Sequence, residues 1–187
     1  MAEILSAPRR PLDGFTPPPA LGLSAGARVA RFILRGRPEA LSAAETALGF
    51  PLPHQACRAS SSGERHALWL GPDEWLLLAP AAEADSLGAA LEAAMDGLPH
   101  ALVEVSQRQT AIVVTGPRAT ALLNVGCPLD LDLAAFPVGM CTRTLLAKTE
   151  VVLWRTALDT FHIEVWRSFS AYAWRFLEAA GAEFSGG

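Results

Sequence analysis

Two carboxylates, Asp73 and Glu74, stand side by side in GPDEWLLLA (residues 71–79), behind a Gly-Pro and directly ahead of a tryptophan and three leucines. Adjacent acids at the edge of an apolar segment could divide the work of general acid and general base, but that needs unlike environments and a partner across a cleft. The same residues suit a tight turn that launches a buried strand, in which an aspartate bonds its own backbone. Other chemistry-bearing residues are scattered. His54, His66, His100 and His162 share no spacing that suggests one site, and Cys57, Cys127 and Cys141 form no CxxC pair. His54 and Cys57 alone offer two ligands, short of a zinc site, so the thiols read as reduced and cytosolic. Asp130 and Asp132 in CPLDLDL could offer oxygens to a cation, but carboxylates at i and i+2 without further ligands make a weak site, and a loop-edge strand fits better. No GxSxG, GxGxxG or GxxxxGK[ST] occurs, and Gly22, Gly26 and Gly36 are too dispersed to cradle a phosphate. Ser168, next to Arg167, is accounted for as the N-cap of a helix. These residues assign no catalytic, cofactor-binding or metal site.

The bulk properties narrow the function classes further. A chain of 187 residues buries roughly 70% of its unfolded surface and needs neither metal nor disulfide to fold. Half of it is apolar (51%) and only 18% is charged, a composition easier to understand if another chain covers part of the surface. A net charge of -4 speaks against nucleic acid, which requires a basic face. No apolar run approaches the roughly 18 residues of a membrane helix. With Glu3 early and no apolar signal core, the N-terminus is expected not to direct secretion, and Arg9-Arg10 followed by Pro11 is not a twin-arginine signal.

The elements that must position any site follow from periodicity. Residues 1–27 hold five of the fourteen prolines, among them Pro17-Pro18-Pro19, and read as an extended arm, either loose or lying along a partner. From Arg28 the pattern is regular. RVARFILR alternates as a strand with Ala30, Phe32 and Leu34 on one face and Arg31 and Arg35 on the other. A helix opening at Pro38 carries Leu41, Ala44 and Leu48 and stops at Gly49. HALWL and EWLLLA form two strands around Gly71-Pro72-Asp73, a helix spans 84–95, and HALVEV closes the unit. The order β-α-β-β-α-β is ferredoxin-like, so the expected fold class is α+β with two duplicated ferredoxin-like halves, 28–106 and 107–187. In the second half TAIVVTGP, 142–146, 151–155 and 161–166 are strands. A last helix from Ser168 has the stripe Phe169, Tyr172, Ala173, Phe176, Leu177 and Ala180.

Superposing the halves supports the duplication. Asp73 falls on Asp159, Trp75 on Phe161, Leu77 on Ile163, and Leu91-Glu92-Ala93-Ala94 on Leu177-Glu178-Ala179-Ala180, while Trp69 and Trp154 are nearly equivalent core positions. Glu74 maps onto Thr160. The repeat therefore decides between acid pair and turn: Asp73 recurs at a strand–strand turn and is a turn former. SQRQT (106–110) joins the halves as a linker or partner contact. Trp166 lies on the strand face opposite Phe161, Ile163 and Val165, and Trp174 with Arg175 lies off the helix stripe. Exposed tryptophan and arginine are favoured interface anchors, so Trp166, Trp174, Arg175, Gln107 and Arg108 are the expected interface residues.

GPDEWLLL, VEVSQRQTAIVVTGPRATALLNVGCPLDL, FPVGMCTRTLL and DTFHIEVWRSFSAYAWRFLEAAGAEF together resemble the gamma subunit family of heterotetrameric sarcosine oxidase, from about residue 28 to the C-terminus. Glu104 in VEVS stands where the family pattern suggests Asp. The resemblance implies a fold like the folate-binding aminomethyltransferase of the glycine cleavage system. It also implies a cytoplasmic place in a four-subunit bacterial enzyme that demethylates sarcosine oxidatively to glycine, passes the one-carbon unit to tetrahydrofolate and produces hydrogen peroxide. FAD, FMN, NAD and tetrahydrofolate would belong to the partner chains, and the gamma chain would be a non-catalytic subunit contacting alpha directly, with beta and delta in the same complex. A homodimer of the isolated chain is also expected. Two other readings stay open: a stand-alone folate-binding aminomethyltransferase-like protein in which SQRQT lines a pterin pocket, and an unrelated interaction module.

Overall fold

A computed structural model describes residues 11–16 and 22–183; Arg9-Arg10 and Pro17-Pro18-Pro19 lie outside them. The chain runs β1 (Leu23–Ala25), β2 (Val29–Gly36), α1 (Pro38–Leu48), β3 (Ala59–Ser62), β4 (Arg65–Gly71), β5 (Glu74–Pro80), α2 (Ala84–Ala94) and β6 (His100–Glu104). It continues with β7 (Gln109–Thr115), α3 (Ala119–Asn124), β8 (Cys141–Leu146), β9 (Thr149–Ala157), β10 (Thr160–Trp166) and α4 (Ser170–Ala182). Two five-stranded antiparallel sheets result, ordered β3-β4-β5-β2-β6 and β1-β7-β10-β9-β8. Four strands of each sheet, β4-β5-β2-β6 and β1-β7-β10-β9, follow the ferredoxin-like arrangement, and each sheet carries one further strand on its other edge, β3 or β8.

Strand alternation explains the layers. In β5, Trp75, Leu77 and Ala79 point to the core beneath α1 and α2, whereas Leu76 and Leu78 join Leu68, Val152 and Trp154 between the sheets. That is why EWLLLA is apolar throughout: both of its faces are covered. In β10, Phe161, Ile163 and Val165 enter the core under α3 and α4, leaving His162, Glu164 and Trp166 on the other face, as the sequence predicts. The order of layers is helices, sheet, sheet, helices. At one edge the sheets are stitched by backbone hydrogen bonds, Ala59 N to Gly139 O (2.9 Å) and Cys141 N to Cys57 O (3.0 Å).

The duplication appears in the hairpins. Asp73 and Asp159 occupy the corresponding turns, β4–β5 and β9–β10, and each hairpin carries a register shift near its turn. One equivalence needs correction. Leu68 pairs with Leu76 and Trp69 with Trp75, while Trp154 pairs with His162 and Arg155 with Phe161. Trp154 therefore corresponds to Leu68, and Trp69 to Arg155, because the two hairpins have the same spacing across their turns, and aligning the two tryptophans would need an insertion that the pairing does not show. Trp69 packs on the helix side of its sheet and Trp154 on the inter-sheet side.

The arm is also corrected in part. Residues 23–25 form β1, which pairs antiparallel with β7 (Leu23 with Val114, Ala25 with Ile112) and takes the place in the second sheet that β6 holds in the first. Leu12 and Leu23 are buried in the second core. Of the arm, the described parts lie along this chain's own second half. The close approach depends on Gly22, at φ 56°, where a Cβ would stand 2.0 Å from the Thr115 carbonyl oxygen.

Helix α4 is rotated relative to its predicted stripe. A 3-10 turn over Arg167–Phe169 precedes it, Ser168 does not cap it, and the Ser170 hydroxyl donates to Arg167 O at 2.9 Å. Ala173, Trp174, Leu177, Ala180 and Gly181 are buried, whereas Phe169 (47%) and Tyr172 (40%) are exposed. Trp174, expected at the surface, is 1% exposed. Phe15 packs edge-on against its indole with ring centroids 5.8 Å apart, so the arm supplies the cover that helical periodicity alone cannot reveal.

Candidate functional site

The seam between the two sheets carries three of the six buried polar side chains among the described residues, Arg31, Gln109 and Glu164. Arg31, on the inner face of β2, donates from Nε (2.6 Å) and Nη2 (3.0 Å) to the two carboxylate oxygens of Glu164 on β10. Both side chains are almost wholly buried. His162 Nε2 lies 2.8 Å from Glu164 Oε1. Burial by itself would push the Glu164 carboxyl up, but hydrogen bonding and charge from His162 and from Arg31 hold it below the usual carboxylate range. The Trp154 ring lies between His66 (centroids 5.0 Å) and His162 (5.8 Å). His66 is lowered from its ordinary value of 6.5 by burial and by the charge of His162, against an opposing pull from Glu64.

Further along the seam the opening acid pair finds its partners. Glu74 accepts from Arg143 of β8, and Arg35 meets Asp73 at 3.3 Å and Glu74 at 3.8 Å. Each acid thus faces arginine as an ion-pair partner. The Asp73 carboxylate bonds Arg35 where a turn-stabilising bond to its own backbone is the sequence expectation. Between the sheets here lies a cleft of about 260 Å³, walled by Ile33, Val103, Val105 and Val152, with Arg108, Gln109 and Trp166 toward one side.

Of the expected interface residues, the structure brings three together. In the SQRQT linker, Ser106 Oγ accepts Arg31 N at 2.9 Å, and Arg108 O accepts Arg167 N at 2.8 Å, which clasps the linker to the end of β10. The Arg108 guanidinium stacks over the Trp166 ring at 5.5 Å from its centroid; Trp166 is 44% exposed, and Gln107 is exposed beside them. Trp174 and Arg175 belong to another surface, where Arg175 lies over Phe15 at 5.9 Å. The sequence missed Arg31, Glu164 and Gln109 as buried polar positions. The available signal was a charge within an otherwise apolar strand, RVARFILR and FHIEVW.

The remaining candidates are absorbed structurally. Asp130 Oδ1 accepts Asp132 N, and Asp132 Oδ1 accepts Ala134 N, both at 2.9 Å, so the two aspartates build successive turns. Among the described residues no group of three His, Cys, Asp or Glu side chains could hold a metal ion. The Cys141 thiol is pushed up to about 12 by burial, against the hydrogen bond to Trp69 O, which keeps it protonated and unreactive. Arg155 is buried with no carboxylate partner among the described residues and donates instead to Leu131 O (3.1 Å), Phe136 O (2.9 Å) and Leu158 O, tying the 131–136 loop to the β9–β10 turn.

Comparison with known proteins finds relatives along most of the chain. The model of the "Sarcosine oxidase, gamma subunit family" matches residues 36–183. A sarcosine oxidase subunit gamma from Arthrobacter sp is 33% identical over 195 residues, covering 99% of this chain and 95% of that one. Another, from Corynebacterium sp. (strain P-1), is 37% identical over 140 residues, covering 74% and 68%. In structure, a chain of the heterotetrameric sarcosine oxidase from Corynebacterium sp. U-96 matches with a TM-score of 0.84 at 30% identity, over 89% of this chain and 86% of that one. The glycine cleavage system aminomethyltransferase T from Bartonella henselae shares the fold, with a TM-score of 0.66 at 16% identity over 84% of this chain and 45% of that one.

Proposed function

The chain belongs to the sarcosine oxidase gamma subunit family, and from that membership we propose that it is a non-catalytic subunit of a heterotetrameric sarcosine oxidase. The observation that carries this reading is the structural match to a chain of such a complex across nearly the whole molecule. The complex would demethylate sarcosine oxidatively to glycine, pass the one-carbon unit to tetrahydrofolate and produce hydrogen peroxide. FAD, FMN, NAD and tetrahydrofolate would be held by the other subunits. The alpha subunit is the direct partner in this reading, with beta and delta in the same assembly, and the location is cytoplasmic; no helix among the described residues is long and apolar enough to cross a membrane.

The contribution of the chain is assembly. Trp166, Arg108 and Gln107 are the proposed contacts, since an exposed tryptophan under an arginine is a favoured anchor. Co-expression with the alpha, beta and delta subunits tests the proposal. The chain is expected to co-elute with them, and the isolated chain to be colourless and to produce no sarcosine-dependent hydrogen peroxide. A complete and fully active complex that forms without the chain would overturn the reading, as would peroxide production by the chain alone.

A further inference from the structure

The corner where β6, the 105–110 linker and the end of β10 meet presents three unmet valences. Arg108 stacks on Trp166 but has no carboxylate partner among the described residues, whereas Arg31, Arg35, Arg65 and Arg143 each meet one. Gln109 is buried, lines the inter-sheet cleft, and its Oε1 has no hydrogen-bond partner. An orphaned acceptor in a low-dielectric seam costs free energy until a donor reaches it. The apolar wall of the cleft extends to the surface at Val103, which is 53% exposed on β6, the edge strand of its sheet. Beyond the Trp166–Arg108 pair the surface opens into a shallower groove of about 480 Å³ that includes Gln107 and Ser168. Exposed Phe169 and Tyr172 follow on the adjoining turns.

A cation without an anion, an acceptor without a donor and an aliphatic wall ask for a ligand that offers a carboxylate, an N–H and an aliphatic group close together. An extended polypeptide bearing Asp or Glu beside an aliphatic residue supplies all three, with its backbone amide as the donor. The run of exposed aromatics past the cleft exceeds what a small ligand filling about 260 Å³ would touch, and aromatic and arginine enrichment marks protein interfaces. Resting on the gamma-subunit reading, we propose that this corner seats an extended acidic–aliphatic segment of the larger subunit. An aliphatic side chain enters the cleft against Val103 and Val105, the neighbouring backbone N–H donates to Gln109 Oε1, and the carboxylate meets Arg108. Trp166 closes the site from the groove side.

The test uses the assembled complex. A photoreactive benzoylphenylalanine placed at Val103 is expected to cross-link to the larger subunit, at a peptide with Asp or Glu next to an aliphatic residue. Arg108→Glu should raise the Kd for reassembly by about thirty-fold, in the range of an interface hot spot, and Trp166→Ala should act in the same direction. Both side chains are exposed, so circular dichroism of the isolated variants should match the parent chain. If wild-type chain fails to join the complex at all, the gamma-subunit reading falls. If it joins, but both variants bind as the parent does and Val103 cross-links nothing or a peptide without a carboxylate, this corner is not the seat and the parent reading survives. A small molecule released from the cleft on denaturing the complex would also overturn the proposal.

Discussion

Arg31 and Glu164 come from opposite sheets and are both almost wholly buried, so Arg31 would be an uncompensated charge without Glu164, and Glu164 would keep only His162 without Arg31. Removing one partner of such a pair typically costs about 3–5 kcal/mol, whereas replacing both with apolar groups of similar volume is far milder. Arg31→Met should therefore destabilise the purified chain by about that amount in urea unfolding, and Arg31→Met with Glu164→Leu should recover much of the loss. At the same scale, Cys57 is half-exposed while Cys127 and Cys141 are buried. Iodoacetamide at pH 8 should modify Cys57 first, and Cys141 only once the chain unfolds; mass spectrometry of timed samples reads the order. The sequence displayed the faces of β2 and β10 correctly, with Arg31 opposite Phe32 and Glu164 opposite Ile163. It could not show that the charged faces are turned toward each other, because strand alternation says which side a residue takes and nothing of what lies beyond that side.

Helix α4 shows how far periodicity carries at the level of elements. FSAYAWRFLEAA contains two overlapping apolar stripes, one through Phe169 and Tyr172 and one through Trp174, and 3.6-residue spacing accepts either. The choice is made by Phe15 and Leu12, which are distant in sequence. Trp174→Ala should consequently lower the stability of the isolated chain by about 3–5 kcal/mol, as for other buried large-to-small changes, with a Tm loss of roughly 10 °C for a chain of this size. Scanning calorimetry measures it. Strand β1 was unreadable for a related reason: three residues between prolines and glycines carry almost no pattern of their own, and only the open edge of β7 makes them a strand. Gly22→Ala places a methyl group against the Thr115 carbonyl at a left-handed backbone position, and should destabilise the chain while Gly63→Ala, at a similar φ with open space around it, does so less.

For the molecule as a whole, the duplication was legible because turns and helix ends restrict residue choice, so Asp73 and Asp159 kept their places while the strands between them drifted. The arrangement of the two halves was not legible, and it determines how the chain responds to acid. Glu164, held below the usual carboxylate range, contributes stability that is present above about pH 4.3 and is lost as pH falls through its folded value. His66, depressed below 6.5, is bound to a proton more readily in the unfolded chain, so its contribution is full above pH 6.5 and declines below it. Stability should accordingly fall in two stages on acidification, the first beginning near pH 6.5 and absent from His66→Gln, as urea midpoints at successive pH values would show. The β1–β7 pairing carries a consequence in time. Gly22 and Thr115 are bonded across 93 residues, and a ribosome adds about 5–20 residues each second. The nascent chain therefore holds its first strand without a mate for roughly 5–20 s, during which the sheet it completes does not yet exist. Synthesis must run past the midpoint before β1 can pair, which leaves that strand open to chaperones and proteases throughout the interval.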